Sequence, residues 1–355
     1  MATVTTVLGP IDSSQMGITM SHVHLTLNLL CFFRPPDSAY LQGLSESKIT
    51  LQNLGLVRRN ATLFKDNLLQ DDLDLATKEA AEYRYAGGQT MVCLDLPGMG
   101  RDPLAMQRVS RATGLHIVAS TGWYLQAAQP PELAQRRVEE LAEAMVKEIT
   151  EGIGDTGVRA GNIGELGMSG LPHEPFQPGE EKALRAAARA QKATGVSLTI
   201  HPNTAFRAPP LHDHLDTYLD VLEREGADLS RCYMSHMTMY PVEAAKRVLR
   251  RGLGFVSYDE FGHEEFLESV YGPGLGFPPD KEEVRTVLEL LHAGYASRVL
   301  LASEVAFKTT YKAYGGWGYS HLLENILPWL RALGVSPSEI HTMTVENPRR
   351  LHALG

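Results

Sequence analysis

Two periods of hydrophobic residues alternate along the chain. Short apolar runs rich in β-branched residues predict eight strands, at residues 18–24, 90–95, 116–121, 162–166, 197–201, 232–236, 254–258 and 299–303. Amphipathic stretches with helical spacing follow at residues 73–87, 131–152, 179–194, 215–225, 241–250, 281–293, 318–333 and 337–354. Strands that alternate with helices in this way form either a barrel or a doubly wound sheet.

The number of strands and the length of the chain favour the barrel. A chain of 355 residues is ordinary for one (β/α)8 TIM barrel, and no low-complexity tract or linker divides it. We therefore predict a single α/β domain over residues 1–355. Residues from about 31 to 70 fit no strand or compact helix. They are predicted to form an extended excursion after the first strand, with helical pieces, that covers the barrel mouth.

Composition and charge narrow the classes of function. The formal net charge is -9 and no basic stripe is present, which argues against nucleic-acid binding. No run approaches about 18 apolar residues, so no membrane span is predicted. The cysteines Cys31, Cys93 and Cys232 are odd in number and lack paired spacing, so a disulfide framework is not expected. The N-terminal residues do not have the pattern of a signal peptide, and a cytoplasmic location is the expectation.

Histidine and carboxylate side chains end several of the predicted strands. His22 and His24 close the first strand, and residues two apart on a strand point to the same face. Four further strand ends carry such groups, in the order Glu165, His201, His236 and Glu304. Barrel enzymes carry their active sites at this end of the strands, so the series predicts an active site there.

The same residue types can be explained in two ways. Any one of these histidines could be a hydrogen-bonded core residue, but a whole series of buried polar groups at one end is costly without a ligand. Imidazoles and carboxylates suit two divalent metal ions, with zinc expected. Glu165 could bridge the two ions, which would share and activate a water. Glu304 would bind one ion and accept the proton of that water.

Several segments together resemble the phosphotriesterase family of the amidohydrolase superfamily. They are residues 17–25 (Gly-Ile-Thr-Met-Ser-His-Val-His-Leu), 163–167 (Ile-Gly-Glu-Leu-Gly), 200–202 (Ile-His-Pro) with 207–209 (Arg-Ala-Pro), 258–262 (Tyr-Asp-Glu-Phe-Gly) and 314–321 (Tyr-Gly-Gly-Trp-Gly-Tyr-Ser-His). The resemblance covers nearly the whole chain. It is greatest to the phosphotriesterase-related branch, which includes N-acetyltaurine hydrolases and lactonase-like enzymes, and it also implies a homodimer.

The resemblance implies metal ligands at the positions already singled out, namely His22, His24, Glu165, His201, His236 and the strand-eight carboxylate. Many relatives bridge their metals with a carbamylated lysine on the fourth strand, whereas others have a glutamate there, as this chain has Glu165. The strand-eight residue is usually aspartate, but here it is Glu304. Its extra methylene places the carboxylate differently, which leaves open a non-hydrolytic lyase reaction of retro-aldol or decarboxylative type.

Four residues near the strand ends are candidates for contact with substrate. Tyr124 lies where lactonase-like relatives have a pocket tyrosine, although it could also be a rim aromatic. Arg207 could hold an anionic group of the substrate in a bidentate fork, or could form a surface salt bridge. Tyr258 ends the seventh strand, and Lys308, which follows the eighth, could instead pair with a nearby acid. Exposure is expected for three loop histidines, His212, His214 and His263.

The favoured hypothesis is a binuclear metal hydrolase that cleaves a small amide, lactone or ester. The lyase is the second hypothesis, and it rests on Glu304 in place of aspartate. A non-catalytic binding protein on the same barrel is the third, and the complete set of ligand-type residues argues against it. In each enzyme hypothesis the partner is a small-molecule substrate.

Overall fold

The computed structural model describes residues 2–170, 173–203, 213–268 and 274–355. Eight parallel strands pair in chain order, and the last strand also contacts the first, which closes the sheet into a barrel. The strands are β3 (Thr19–Val23), β4 (Thr90–Cys93), β5 (His116–Thr121), β6 (Ala160–Gly167), β7 (Ser197–His201), β8 (Cys232–Met234), β9 (Phe255–Tyr258) and β10 (Val299–Leu301). The predicted (β/α)8 barrel is confirmed.

Helices surround the barrel and cover the outer faces of its strands. Those of the described residues are Leu73–Tyr85, Pro103–Thr113, Val138–Thr150, Pro178–Thr194, Leu215–Glu225, Val242–Arg250, Asp280–His292, Leu327–Ala332, Pro337–His341 and Asn347–His352. Two further short helices, Ala39–Ser45 and Leu54–Arg59, lie in the segment after β3. The largest apolar cluster lies between strands and helices, as expected where both faces of a parallel sheet are covered. In the described part of the chain, no helix has the length and apolar character needed to cross a membrane.

Local capping explains where the structure differs from the predicted helices. The predicted helix at 131–152 is divided into a 3₁₀ turn, Pro131–Gln135, and the helix Val138–Thr150. Glu140 accepts the backbone N–H of Arg137 at 2.9 Å and so starts a new helix there. The structure adds the helix Pro103–Thr113, which has Asp102 as its N-cap.

A hairpin at the N-terminus covers the opposite end of the barrel from the strand ends that carry the histidines. Its strands, β1 (Thr3–Thr6) and β2 (Gly9–Asp12), pair antiparallel. The N–H of Val7 donates to the carbonyl of Ile117 in β5 at 2.8 Å. A Cβ at Gly161 would lie only 2.6 Å from the carbonyl oxygen of Thr5, so a glycine is needed where the hairpin contacts β6.

The segment after β3 packs on the loops that follow β9 and β10. Gln70 donates its side-chain amide to the carbonyl of Val305 at 2.7 Å, and Asn67 accepts the N–H of Thr309 at 2.9 Å. Asp66 forms a buried ion pair with Lys308. These contacts hold residues 31–70 over the carboxyl ends of the strands. That these residues are an excursion within a single domain stays a prediction.

His352, in the last helix, is buried at the closed end of the barrel. Its Nδ1 lies 2.8 Å from the hydroxyl of Ser197, the first residue of β7, and its ring meets Tyr233 edge-on. Burial, with a smaller contribution from the guanidinium of Arg231, lowers the pKa of His352 to about 3. The imidazole is therefore neutral in the folded protein over the physiological range.

His352 should make the folded protein sensitive to acid. The unfolded chain binds a proton at this residue below its ordinary pKa of about 6.5, whereas the folded chain does not, so stability falls as pH drops below that value. We expect His352→Gln to lose about 1 kcal/mol less stability than the wild type between pH 7.5 and 5.5. Urea unfolding at the two pH values measures this, with the exposed His292→Gln as control. Equal pH dependence in all three proteins would contradict the prediction.

Candidate metal centre

Six predicted ligand residues meet at the carboxyl ends of the barrel strands, and all six are buried. They come from strands on all sides of the barrel, and only closure of the sheet brings them together. Their potential ligand atoms form two groups, each within 4.8 Å: His22, His24, Glu165 and Glu304 in one, and Glu165, His201 and His236 in the other.

Glu165 belongs to both groups. Its Oε1 lies 3.4 Å from Nε2 of His24, and its Oε2 lies 3.5 Å from Nε2 of His22. The same Oε2 lies 3.0 Å from Nδ1 of His201 and 3.5 Å from Nε2 of His236. One carboxylate thus stands between two pairs of imidazoles, which is the arrangement expected of a bridging ligand.

The backbone has unusual requirements at two positions beside the centre, Gly164 and His236. A Cβ on Gly164 would lie 2.2 Å from the carbonyl oxygen of Thr199, so the residue before Glu165 has to be glycine. His236 has φ 54° and ψ 33°, a left-handed conformation that costs a non-glycine residue free energy. A hydrogen bond of 2.9 Å from its backbone N–H to Asp259 Oδ1 supports this conformation.

The carboxylate of Glu304 contacts His22 and His24, although its side chain is one methylene longer than the usual aspartate. Its Oε1 lies 2.9 Å from Nε2 of His24 and 3.2 Å from Nε2 of His22. Its backbone N–H donates to the carbonyl of Asp259 at 2.7 Å. The Nε2 of His22 is buried without a hydrogen bond among the described residues, and such an imidazole nitrogen is free to bind a metal.

Two aspartates that were not among the predicted ligands hold the histidines in place. Asp95 lies 2.8 Å from Nδ1 of His24 and also accepts the N–H of Thr26 at 2.9 Å. Asp259 lies 2.9 Å from Nδ1 of His22 and 3.1 Å from Nδ1 of His236. Contacts of this kind fix the orientation of metal-binding imidazoles and raise their basicity. Both aspartates follow apolar strands, the same signal that identified the glutamates.

The pKa values of the cluster reflect its concentrated negative charge. Burial alone would lower the pKa of His22, but the carboxylates of Glu304 and Glu165 raise it well above its ordinary value. Burial would likewise raise the pKa of Glu165, but the imidazoles of His22 and His201 lower it well below its usual range. The carboxylates are therefore ionised, and the cluster attracts positive charge.

The negative charge of this cluster favours the binding of a divalent cation. The four buried carboxylates of Glu165, Glu304, Asp95 and Asp259 form no ion pair with a lysine or arginine among the residues that the structure describes. Their partners are imidazoles, and burying four carboxylates without a permanent positive charge beside them is unfavourable. The imidazole and carboxylate donors suit zinc and similar ions, so the residues fit a metal site.

A cavity opens beside this centre, within the barrel mouth. Besides ligand residues, it is lined by Leu29, Phe32, Thr62, Tyr124, Glu260, Leu267, Phe277, Ala306 and Phe307. The predicted substrate contact Tyr124 is among them, and its hydroxyl lies 3.2 Å from Nε2 of His201. The predicted contact Arg207 lies outside the described residues, so its role stays a prediction.

Two other predicted substrate contacts lie away from the cavity. Tyr258 is fully buried in the cluster between strands and helices, because side chains alternate along β9 and the next residue, Asp259, points into the barrel. Lys308 is 4% exposed and pairs with Asp66 at 2.9 Å. Neither residue lines the cavity, and the ion pair is the alternative considered for Lys308. Contact of Tyr258 and Lys308 with a substrate stays a prediction.

His263 is buried, although a loop histidine was expected to be exposed. Its Nε2 lies 2.8 Å from the carbonyl oxygen of Glu304, and its Nδ1 lies 3.3 Å from Glu265 Oε2. The ring also packs against Phe277. His263 therefore joins the loop after β9 to the backbone of Glu304. Of the other loop histidines, His214 is half-buried and His212 lies outside the described residues.

Comparison with known proteins agrees with this geometry. Residues 2–352 match the model of the Phosphotriesterase family. The chain belongs to this family. It is 33% identical over 350 residues to the N-acetyltaurine hydrolase of Danio rerio, covering 98% of this chain and 97% of the relative. The predicted family and the prediction of a hydrolase are confirmed.

Two solved structures extend the comparison. A resiniferatoxin-binding protein from Rhodobacter sphaeroides is 36% identical, with a TM-score of 0.91, over 99% of this chain and 94% of that one. The lactonase Lmo2620 from Listeria monocytogenes is 22% identical, with a TM-score of 0.75, over 99% of this chain and 98% of that one. At that identity the lactonase supports the fold alone. Members of the phosphotriesterase family depend on metal, as the donor set of this chain predicts.

Removal of charge from Asp95 should weaken metal binding. In Asp95→Asn, the amide cannot raise the basicity of His24, so we expect zinc affinity to fall about 10- to 100-fold. Competition with a chromogenic zinc chelator measures the dissociation constants. Asp102→Asn is the matched control, because Asp102 is exposed and asparagine is an equally good N-cap. Unchanged zinc affinity in Asp95→Asn would count against the assigned role of Asp95.

Proposed function

We propose that the chain is a binuclear divalent-metal hydrolase that uses a bridging water to cleave a small amide, lactone or ester. The observation that carries this proposal is the position of Glu165 between two pairs of histidines, within 3.5 Å of a nitrogen of each. A carboxylate in that position can serve two ions at once. A site for a single metal ion would not require both pairs of histidines.

Each residue has a role in this proposal. His22 and His24 would hold one ion and His201 and His236 the other, with Glu165 common to both. Two ions bound in this way lower the pKa of a shared water towards neutrality and polarise the bond to be cleaved. We propose zinc, because imidazole and carboxylate are among its preferred ligands.

Glu304 is the residue that we propose as proton acceptor. Its carboxylate touches His24 on one side, and its Oε2 lies 3.8 Å from Nδ1 of His236 on the other. The backbone N–H of Glu304 donates to the carbonyl of Asp259, and Nε2 of His263 lies 2.8 Å from the carbonyl oxygen of Glu304, so both backbone groups of Glu304 are held. The imidazoles lower the pKa of Glu304 well below its ordinary value despite burial, so it begins the reaction as a carboxylate.

Hydrolysis is favoured over the lyase alternative. That alternative rested on the exchange of aspartate for Glu304, but the longer side chain still reaches both His22 and His24. The relative from Danio rerio is named a hydrolase of an N-acyl compound, which supports an amide as one substrate class. Tyr124, in the cavity wall beside His201, is proposed to contact the substrate.

Removal of the carboxylate at position 304 should stop turnover without emptying the site. We expect Glu304→Gln to lower kcat by about 100-fold or more, the usual contribution of a positioned general base, and to retain at least part of the metal because five ligand residues remain. Steady-state kinetics and metal analysis of the purified protein measure the two quantities. Glu151→Gln, at an exposed position, is the control. A wild-type rate in Glu304→Gln would exclude this residue as proton acceptor.

Labelled water distinguishes hydrolysis from lyase chemistry. The zinc-loaded protein is incubated in ¹⁸O-water with N-acetyltaurine, a γ-lactone and phenyl acetate, and the products are analysed by mass spectrometry. Hydrolysis places one labelled oxygen in the carboxylate product, since the attacking oxygen comes from solvent. Turnover without incorporation of the label would overturn the hydrolytic proposal and support a lyase.

A further inference from the structure

Glu260 is a buried carboxyl group in the cavity wall that the proposed reaction does not use. It is 2% exposed, and its Oε1 lies 3.5 Å from Nδ1 of His236. Its Oε2 is buried without a hydrogen bond to any described residue. A buried acceptor that lacks a partner is unfavourable, so a ligand that brings a donor to this position gains affinity.

The rest of the wall defines what else the ligand carries. Phe277 and Phe307 lie with ring centroids 6.2 Å apart, and Phe32 lies 6.2 Å from the ring of Tyr124. Phe32 and Phe277 are only half-buried and line the cavity, so an apolar group can pack on the parts of their side chains that remain exposed. Among the described residues, no lysine or arginine lines this wall.

We propose that Glu260 is a specificity-determining residue that accepts a hydrogen bond from the N–H of a secondary amide substrate. The apolar substituent of that amide packs on Phe32, Phe277 and Phe307. This inference rests on the proposed hydrolytic function and narrows it, because an amide N–H, unlike the oxygen of an ester or a lactone, is a donor at the bond to be cleaved. A primary amide has the donor but no substituent on nitrogen to pack on the apolar wall.

An ester or a lactone fits the same position less well. Its ring or bridging oxygen has lone pairs in place of the N–H, so it faces the Glu260 carboxyl oxygen without a hydrogen bond. A site that is built to receive an N–H discriminates against the analogue that lacks it, because its own buried polar group is then left unpaired. The selectivity should therefore depend on the side chain at position 260.

Two nearly isosteric probes test this inference. N-benzylacetamide and benzyl acetate differ only by N–H against oxygen, and both carry an aromatic group for the apolar wall. The ratio of their kcat/KM values is measured with zinc-loaded wild type, Glu260→Leu and Glu260→Gln, and their dissociation constants are measured by ligand-observed NMR. Glu264→Leu is the control, because Glu264 lies in the same loop and is exposed.

We expect Glu260→Leu to lower the amide-to-ester ratio about tenfold or more, in both turnover and binding. Glu260→Gln keeps a carbonyl acceptor and should retain most of the ratio, and the control should be unchanged. Zinc content and circular dichroism show whether each variant is folded and loaded. Glu260→Met, which has an unbranched side chain, replaces the leucine variant if that one folds poorly.

The outcomes separate the two proposals. If both probes are cleaved and the ratio does not change in Glu260→Leu, the inference is wrong and the proposed function stands. If neither probe is cleaved but the wild type binds the amide more tightly in a Glu260-dependent way, the hydrolytic function is wrong and the inference about recognition stands. If the wild type neither binds nor cleaves them, both proposals are overturned.

Discussion

The structure at the carboxyl ends of the barrel strands depends on four buried carboxylates. Among the described residues, none of the four has a lysine or arginine partner. Glu165, Glu304, Asp95 and Asp259 surround the histidines, and burial of like charges is unfavourable unless a cation is shared between them. Metal binding and folding stability would therefore be coupled at this end of the barrel. Metal binding would offset a cost that the folded chain otherwise carries, so it should stabilise the fold as well as supply the chemistry.

The two ends of the barrel differ in the polar groups that they bury. At the closed end, the N-terminal hairpin covers the strands. His352 is buried there as a neutral imidazole that forms a hydrogen bond with the hydroxyl of Ser197. At the open end, charge is concentrated and the walls above it are apolar. The segment of residues 31–70 supplies part of those walls, and the ion pair of Asp66 with Lys308 holds it to the loop that carries Glu304. Substrate access and the position of Glu304 therefore depend on the same contacts.

The proposed function and the inference about Glu260 use different parts of the cavity. The proposed reaction would depend on the cluster of predicted ligands, in which two groups of residues share Glu165. The proposed recognition of the substrate would depend on the wall, where Glu260 and three phenylalanines lie. The ring of Phe32 contacts Tyr124, and the rings of Phe277 and Phe307 contact His263 and each other, so a change at one of these phenylalanines would alter the wall and leave the predicted metal ligands in place.

The sequence by itself determined the eight-stranded barrel and selected six candidate ligand residues, because each of these leaves a local signal: an apolar run of strand length, and a polar residue at its end. The same local signal marks Asp95, which ends one predicted strand, and Asp259, which follows another. Tertiary structure decided the rest. Whether Tyr258 faces the cavity or the helices depends on the phase of alternation along β9, and the burial of His263 and Lys308 depends on partners far away in the chain. Only the closed barrel places Glu165 between two pairs of histidines, since those residues lie on different strands and a linear pattern contains no distances between them.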